Sequence, residues 1–240
     1  MKRSMVIVAM LGMVFGFSGQ PLADMVGDAK EAALKIHQVR TLMDHAMGMV
    51  TEGASLVMVA RMELAPPTDR FTAEQGMKMI ESGKDMVHKA LSADEMTSME
   101  EAGMKDDPMM KETSDLGESI LKYIDIVENL KMSGSVESRI KMHHIHLMIN
   151  HAMDTAAEGA GLVLLGNMKL AGSLDKYTVD NGRMMLRDAK ANLVDVSGSE
   201  TMMGMHKAGM GPEDNPMMAQ THELLEAALK IIDVLEKMSM

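Results

Sequence analysis

The chain predicts an all-α fold built from two tandem four-helix bundle-like units, and three observations predict it. Apolar residues make up 46% of its 240 residues but aromatic residues only 2%, with no tryptophan, so a core has to be aliphatic, alanine and methionine. That composition suits packed helices better than a sheet rich in β-branched and aromatic side chains. Apolar residues also recur at three- and four-residue spacing through long segments, the period of an amphipathic helix. Finally the sequence repeats: "HAMGMVTEGASLVMVARMEL" from His45 aligns with "HAMDTAAEGAGLVLLGNMKL" from His151, 106 positions further on. The register continues through Phe71-Thr72 with Tyr177-Thr178 and the "AGM" ending at Met104 with that ending at Met210. After a two-residue shift it runs on to "LGESILKYIDIVENL" with "LLEAALKIIDVLEKM". Agreement over whole halves marks an internal duplication of about 100 residues, and one fused, longer bundle is the alternative packing.

Taken in order, residues 1–23 carry Lys2 and Arg3, an apolar run from Met5 to Phe17, and then small and polar residues. This is the pattern of a secretory signal peptide, cleaved after Ala23; the run falls short of the roughly 20 residues of a membrane span. No cysteine follows that could carry a lipid, and an uncleaved anchor is the alternative. The expected location is periplasmic or secreted. Two helical repeats follow, 24–132 and 138–240, joined by a linker at 133–137. The first helices are expected from about Val26 to Leu64 and from Val136 to Leu170, the second from near Thr72 and Lys176. Ser92 with Glu95, and Ser197 with Glu200, have capping-box spacing and open the third helices. Asp107-Pro108 and Asn215-Pro216 place a capping side chain before a first-turn proline and open the fourth. Those last helices carry the apolar stripes Leu116, Ile120, Tyr123, Val127, Leu130 and Leu224, Ala228, Ile231, Leu235, Met238.

Composition narrows the function classes. The formal net charge of −11 becomes −13 once Lys2 and Arg3 leave with the signal, which argues against nucleic acid and anionic membrane as partners. There is no cysteine, so thiolate chemistry is excluded, and thioether and imidazole are the softer ligands that remain. No GxSxG, P-loop, HExxH, ExxH or CxxCH occurs, and a binding protein rather than an enzyme is expected.

Methionine is the anomaly: 33 residues, 29 of them beyond Met1, Met5, Met10 and Met13 of the signal. Met58, Met62, Met168 and Met238 lie on stripes with Leu and Val and read as core. In two stretches methionine stands alone. Apart from Ala and Pro, the apolar residues of 92–115 are Met96, Met99, Met104, Met109 and Met110; those of 197–223 are Met202, Met203, Met205, Met210, Met217 and Met218. A helix selected for burial alone would mix in leucine, a strong helix former, so the sulfur itself is implicated. A thioether is a soft ligand for Cu(I), and by the same softness Ag(I), or an oxidisable group. Met96 with Met99, Met202 with Met205, Met203 with His206 and Met148 with His151 have the three-residue spacing that lets two side chains of one helix reach the same ion.

Histidines add to this. In "KMHHIHLMINHAM", residues 141–153, a helix places Met142, His146 and Met153 in one narrow sector and His144, Met148 and His151 in another, on either side of a core stripe of Ile145, Ile149, Ala152 and Ala156. The first repeat keeps His45 but has Gln38, Arg40 and Leu42 where the second has His144, His146 and Met148, so the second repeat is the better candidate. The expected metal ligands are therefore those two sectors, Met202, Met203, Met205, His206, Met210, Met217 and Met218, and, from the first repeat, His45, Met96, Met99 and Met104. His37, His88 and His143 read as ordinary solvated or hydrogen-bonded side chains.

The run "MMGMH" and the MxxH pairs Met148/His151 and Met203/His206, in a helical chain behind a signal sequence, resemble the methionine- and histidine-rich periplasmic proteins of bacterial copper and silver resistance. Some of those are helical bundles with MxxH or Met-cluster sites; others are disordered until metal binds. The resemblance covers composition and short motifs rather than the full length, and the duplication and long amphipathic helices depart from the disordered kind. It implies sequestration, buffering or delivery of Cu(I) or Ag(I), with a periplasmic delivery partner. Two other classes stand beside it: a helical interaction module with an adaptable Met-rich surface, and an oxidant scavenger working through Met cycling. The metal reading predicts clustered sulfurs near histidine, the interaction module a continuous apolar groove, and the scavenger scattered, exposed sulfurs.

Overall fold

A computed structural model describes the backbone of residues 22–101, 107–169, 172–207 and 215–239, and their side chains from Leu34 onward except Glu95, Glu100, Glu101 and His206. The predicted signal lies almost wholly outside the described residues. The fold is all-α, with eight helices among the described residues: α1 Leu22–Ala60, α2 Pro66–Leu91, α3 Asp94–Glu101, α4 Pro108–Asn129, α5 Val136–Asn167, α6 Ser173–Ser197, α7 Glu200–Lys207 and α8 Pro216–Met238. None of them is long and apolar enough to cross a membrane.

Each half follows one plan, a long helix, an antiparallel partner, an eight-residue helix and a closing helix. The long hairpins are drawn together by glycine. An added Cβ on Gly76 of α2 would lie 2.6 Å from the Gly53 carbonyl oxygen of α1, and one on Gly159 of α5 would lie 2.8 Å from that of Gly182 on α6. Only glycine tolerates so close a backbone approach. Both hairpin turns contain a residue in the left-handed region, Glu63 at φ 56° and Lys169 at φ 57°.

The closing helices start where the sequence places them. Asp107 and Asn215 accept hydrogen bonds from the Met109 and Met217 amides at 2.9 and 3.0 Å, with proline in the first turn. The third helices start later than expected. Ser92 donates to the His88 carbonyl at the end of α2, and Ser197 is the last residue of α6. It is Ser199 that caps α7, accepting from the Met202 amide at 3.3 Å. The prolines Pro66 and Pro67 begin α2 rather than delay it to Thr72, because a first-turn proline gives up no intrahelical hydrogen bond.

Residues Ile36–Met240 form one compact unit. Helix α4 packs on α8, and α5 packs on both α6 and α8. Across the halves, the Tyr123 hydroxyl of α4 donates to Asn150 Oδ1 of α5 at 2.5 Å, and Asn150 Nδ2 donates to Ser55 Oγ of α1 at 2.8 Å. Thr51 of α1 donates to the Asp154 carboxylate of α5. Arg61 ends this arrangement by donating to the carbonyls of Val127 and Glu128 at 3.0 Å, and to that of Leu130, in the last turn of α4, where a cation is favoured.

Candidate functional site

Two hydrogen bonds fix what lies at one end of the second half. The Thr221 hydroxyl of α8 donates to the Met217 carbonyl at 2.8 Å, so its proton is committed. It therefore accepts from His146 Nε2 of α5, 2.8 Å away. That assigns the tautomer: the proton sits on Nε2 and Nδ1 carries a bare lone pair. His146 is fully buried, and its Nδ1 has no hydrogen-bond partner among the described residues. Burial, helped by His143 and Arg61, pushes the imidazole down to about 3, so the ring is neutral at physiological pH.

The surroundings of this nitrogen follow from helix registers. Met142 is one turn before His146 and fully buried; Met217 and Met218, in the first turn of α8 beside Thr221, are fully buried too. The α5·α6 hairpin pairs Gly159 with Gly182 and Gly166 with Asp175, a register that brings the end of α6 level with His144. Helix α7 begins there, and its Met202 and Met205 are buried, at 1% and 3% exposure. Five buried thioethers and two imidazole nitrogens without a partner among the described residues, Nδ1 of His146 and Nδ1 of the half-buried His143, thus share one end of the bundle. At that nitrogen His143 is not the solvated or hydrogen-bonded side chain expected.

The remaining expected ligands are distributed differently. Met203, 47% exposed, points away from Met202 and Met205, so "MMGMH" is not one ligating face. His144, Met148 and His151 share the outward face of α5 as their spacing predicts, and they are exposed. Met153 is buried in the His146 sector, but two turns further along, roughly 10 Å away. His45 is exposed on α1. The pairing of Ser55 with Asn150 puts residue 59 level with His146, which leaves His45 roughly 20 Å along the axis. Met96 and Met99 are buried at the other end, with the first half. Met104, Met210 and the His206 side chain lie outside the described residues. Among the described residues, no three His, Asp or Glu side chains gather to hold a metal ion.

The first half answers His146 with Arg40, also buried. Its Nε donates to Thr113 Oγ1 at 3.0 Å and its Nη2 to the Met109 carbonyl at 3.1 Å, while Thr113 donates to that same carbonyl at 2.7 Å. Glu112 approaches Nη2 at 3.7 Å. Burial lowers the guanidinium from its ordinary value, opposed by Glu112, Asp44 and Asp107. Asp44 itself has a buried Oδ1 without a partner among the described residues, and burial pushes its carboxyl up to about 7 against the pull of Arg40. The sequence displays the exchange of Arg40 for His146, but not the threonine partners, since Thr113 and Thr221 carry no motif. The tandem alignment is the signal that could have found them.

Comparison with protein-family profiles, with curated proteins and with solved structures finds no match.

Proposed function

We propose that the protein binds a soft monovalent metal ion, Cu(I) or Ag(I), at the His146 end of the second half, and sequesters, buffers or delivers it without catalysis. The observation that carries this reading is the bare, buried Nδ1 of neutral His146 at the bundle end that also holds buried Met142, Met202, Met205, Met217 and Met218. Imidazole and thioether are donors suited to Cu(I), and no proton has to leave the ring for Nδ1 to coordinate. The burial of these sulfurs fits clustered ligands better than an exposed oxidant sink. The predicted signal supports a periplasmic site of action, where a partner protein would receive the ion.

The test is anaerobic titration of the mature protein with Cu(I) against a competing chelator, read by native mass spectrometry. A parallel sample carries Met142→Leu, Met202→Leu, Met205→Leu and Met217→Leu, near-isosteric changes that keep core volume and delete sulfur. Copper retained by the parent and lost from the variant is expected. If the chelator strips the parent completely, the metal reading is wrong; equal retention by both proteins would place the site elsewhere.

A further inference from the structure

The two halves treat the same position in opposite electrostatic ways. Arg40 and His146 are equivalent in the repeat and hydrogen-bond equivalent threonines, Thr113 and Thr221, at 3.0 and 2.8 Å. Each threonine donates to an equivalent methionine carbonyl, at 2.7 Å in the first half and 2.8 Å in the second. The three carboxylates whose charge favours the Arg40 guanidinium are Glu112, Asp44 and Asp107. Their counterparts are all amides, Gln220, Asn150 and Asn215. The amides are engaged elsewhere: Asn215 caps α8, Asn150 bonds Tyr123 and Ser55, and Gln220 joins Asn129 and Lys131 of the opposite half. Methionine is buried at matching positions of both halves, Met96, Met99 and Met110 in the first and Met202, Met205 and Met218 in the second.

Resting on the soft-metal reading above, we infer that the chain holds a single monovalent soft cation, at His146, and that Arg40 is the permanent cation occupying the corresponding place in the first half. A guanidinium that donates to Thr113 and the Met109 carbonyl repels a second positive ion and fills its space. At His146 no fixed cation stands, and among the described residues the imidazole bonds through one nitrogen only. The donors there are uncharged. The cost of burying an ion grows with the square of its charge, so a divalent ion costs about four times a monovalent one before any ligand compensates. With amides where the first half has carboxylates, none of these three positions supplies the negative charge that Zn(II) or Cu(II) would need, and among the described residues no three His, Asp or Glu side chains gather to supply it.

The test counts ions per chain by native mass spectrometry with Ag(I), with Cu(I) under anaerobic conditions, and with Zn(II), each against a competing chelator. The parent is expected to retain one Ag(I) or Cu(I) and no Zn(II). His146→Arg copies the first half into the second, and is expected to keep the helical circular dichroism while binding none. The pair Ile36→Met with Arg40→His copies the second half into the first, and is expected to raise the count from one to two. A parent that retains no soft ion defeats the function proposed above. A parent that retains one, with His146→Arg retaining it equally or the first-half pair failing to gain a second, overturns this inference alone. Zn(II) held as firmly as Ag(I) overturns the selectivity. Should the first-half pair fail to fold, His146→Arg decides.

Discussion

Gly76→Ala tests the close crossing of α1 and α2. The new methyl would lie 2.6 Å from the Gly53 carbonyl oxygen, 2.8 Å from Val57 Cγ2 and 3.0 Å from Leu56 Cβ. A carbonyl oxygen held in a helix cannot rotate away, so the helices have to separate. Overpacking of this kind costs about 1–3 kcal/mol, and the upper half of that range applies because the obstacle is backbone. Alanine recovers about 1 kcal/mol over glycine in a helix, which leaves a net loss of about 1–2 kcal/mol. For a chain of this size that lowers Tm by roughly 2–8 °C. Gly48→Ala is the matched control, in the same hairpin with nothing within 4 Å of the added carbon; it gains the helix term alone, about 0.5–1 kcal/mol. Urea and thermal unfolding followed by circular dichroism measure both. If Gly76→Ala proves as stabilising as Gly48→Ala, the reasoning from close approach is refuted.

Asp44→Asn tests the buried carboxyl. Because the folded Asp44 titrates at about 7 and an unfolded Asp near 4, folding holds its proton. The contribution is full below pH 4 and is lost as pH rises through 7, by up to about 4 kcal/mol. Asparagine, the residue that aligns at position 150, removes that loss, so the variant is expected to match the parent at pH 4 and exceed it at pH 8; urea midpoints that run parallel across this range would contradict it. Tyr123→Phe deletes the 2.5 Å bond to Asn150 and leaves a buried amide oxygen unpaired, a loss of about 1–3 kcal/mol. An unchanged unfolding free energy would show that the link between α4 and α5 carries no weight.

Much of this architecture is legible in the sequence. Helical periodicity located the long helices, and Asp107-Pro108 and Asn215-Pro216 fixed the starts of α4 and α8, because a cap and a first-turn proline are local chemistry. The third helices were misplaced since serines at 92, 197 and 199 all precede acidic or apolar residues at plausible spacings, and only the end of the preceding helix decides which one caps. The packing of α4 on α8 was hidden for a different reason. A single stripe of Leu116, Ile120, Tyr123 and Val127 satisfies one neighbour, but α4 also buries Ser119, Ile124 and Ile126, an arc too wide for one contact. Likewise α8 buries Leu225, Ala227, Ile232 and Val234 beyond its predicted stripe. Reading arc width as well as phase would have shown that both helices face two partners. The candidate site was legible in part: Met142, His146 and Met153 share one face of α5, which is buried, but which sector faces inward depends on neighbours the periodicity cannot name.

The contrast between Arg40 and His146 also bears on why a histidine stands at 146. In the first half the guanidinium has Glu112 at 3.7 Å as its countercharge and donates to two acceptors. In the second, every charged member is replaced by a neutral one, which removes the desolvation of an ion. If neutral packing were the whole purpose, leucine would serve, or a glutamine able to satisfy Thr221. Histidine instead leaves Nδ1 buried and unpaired, at a cost of about 1–3 kcal/mol that no contact among the described residues recovers. Under the proposed function, a soft cation on that lone pair would recover it, and the five buried thioethers at the same end would be the donors that keep such an ion from water.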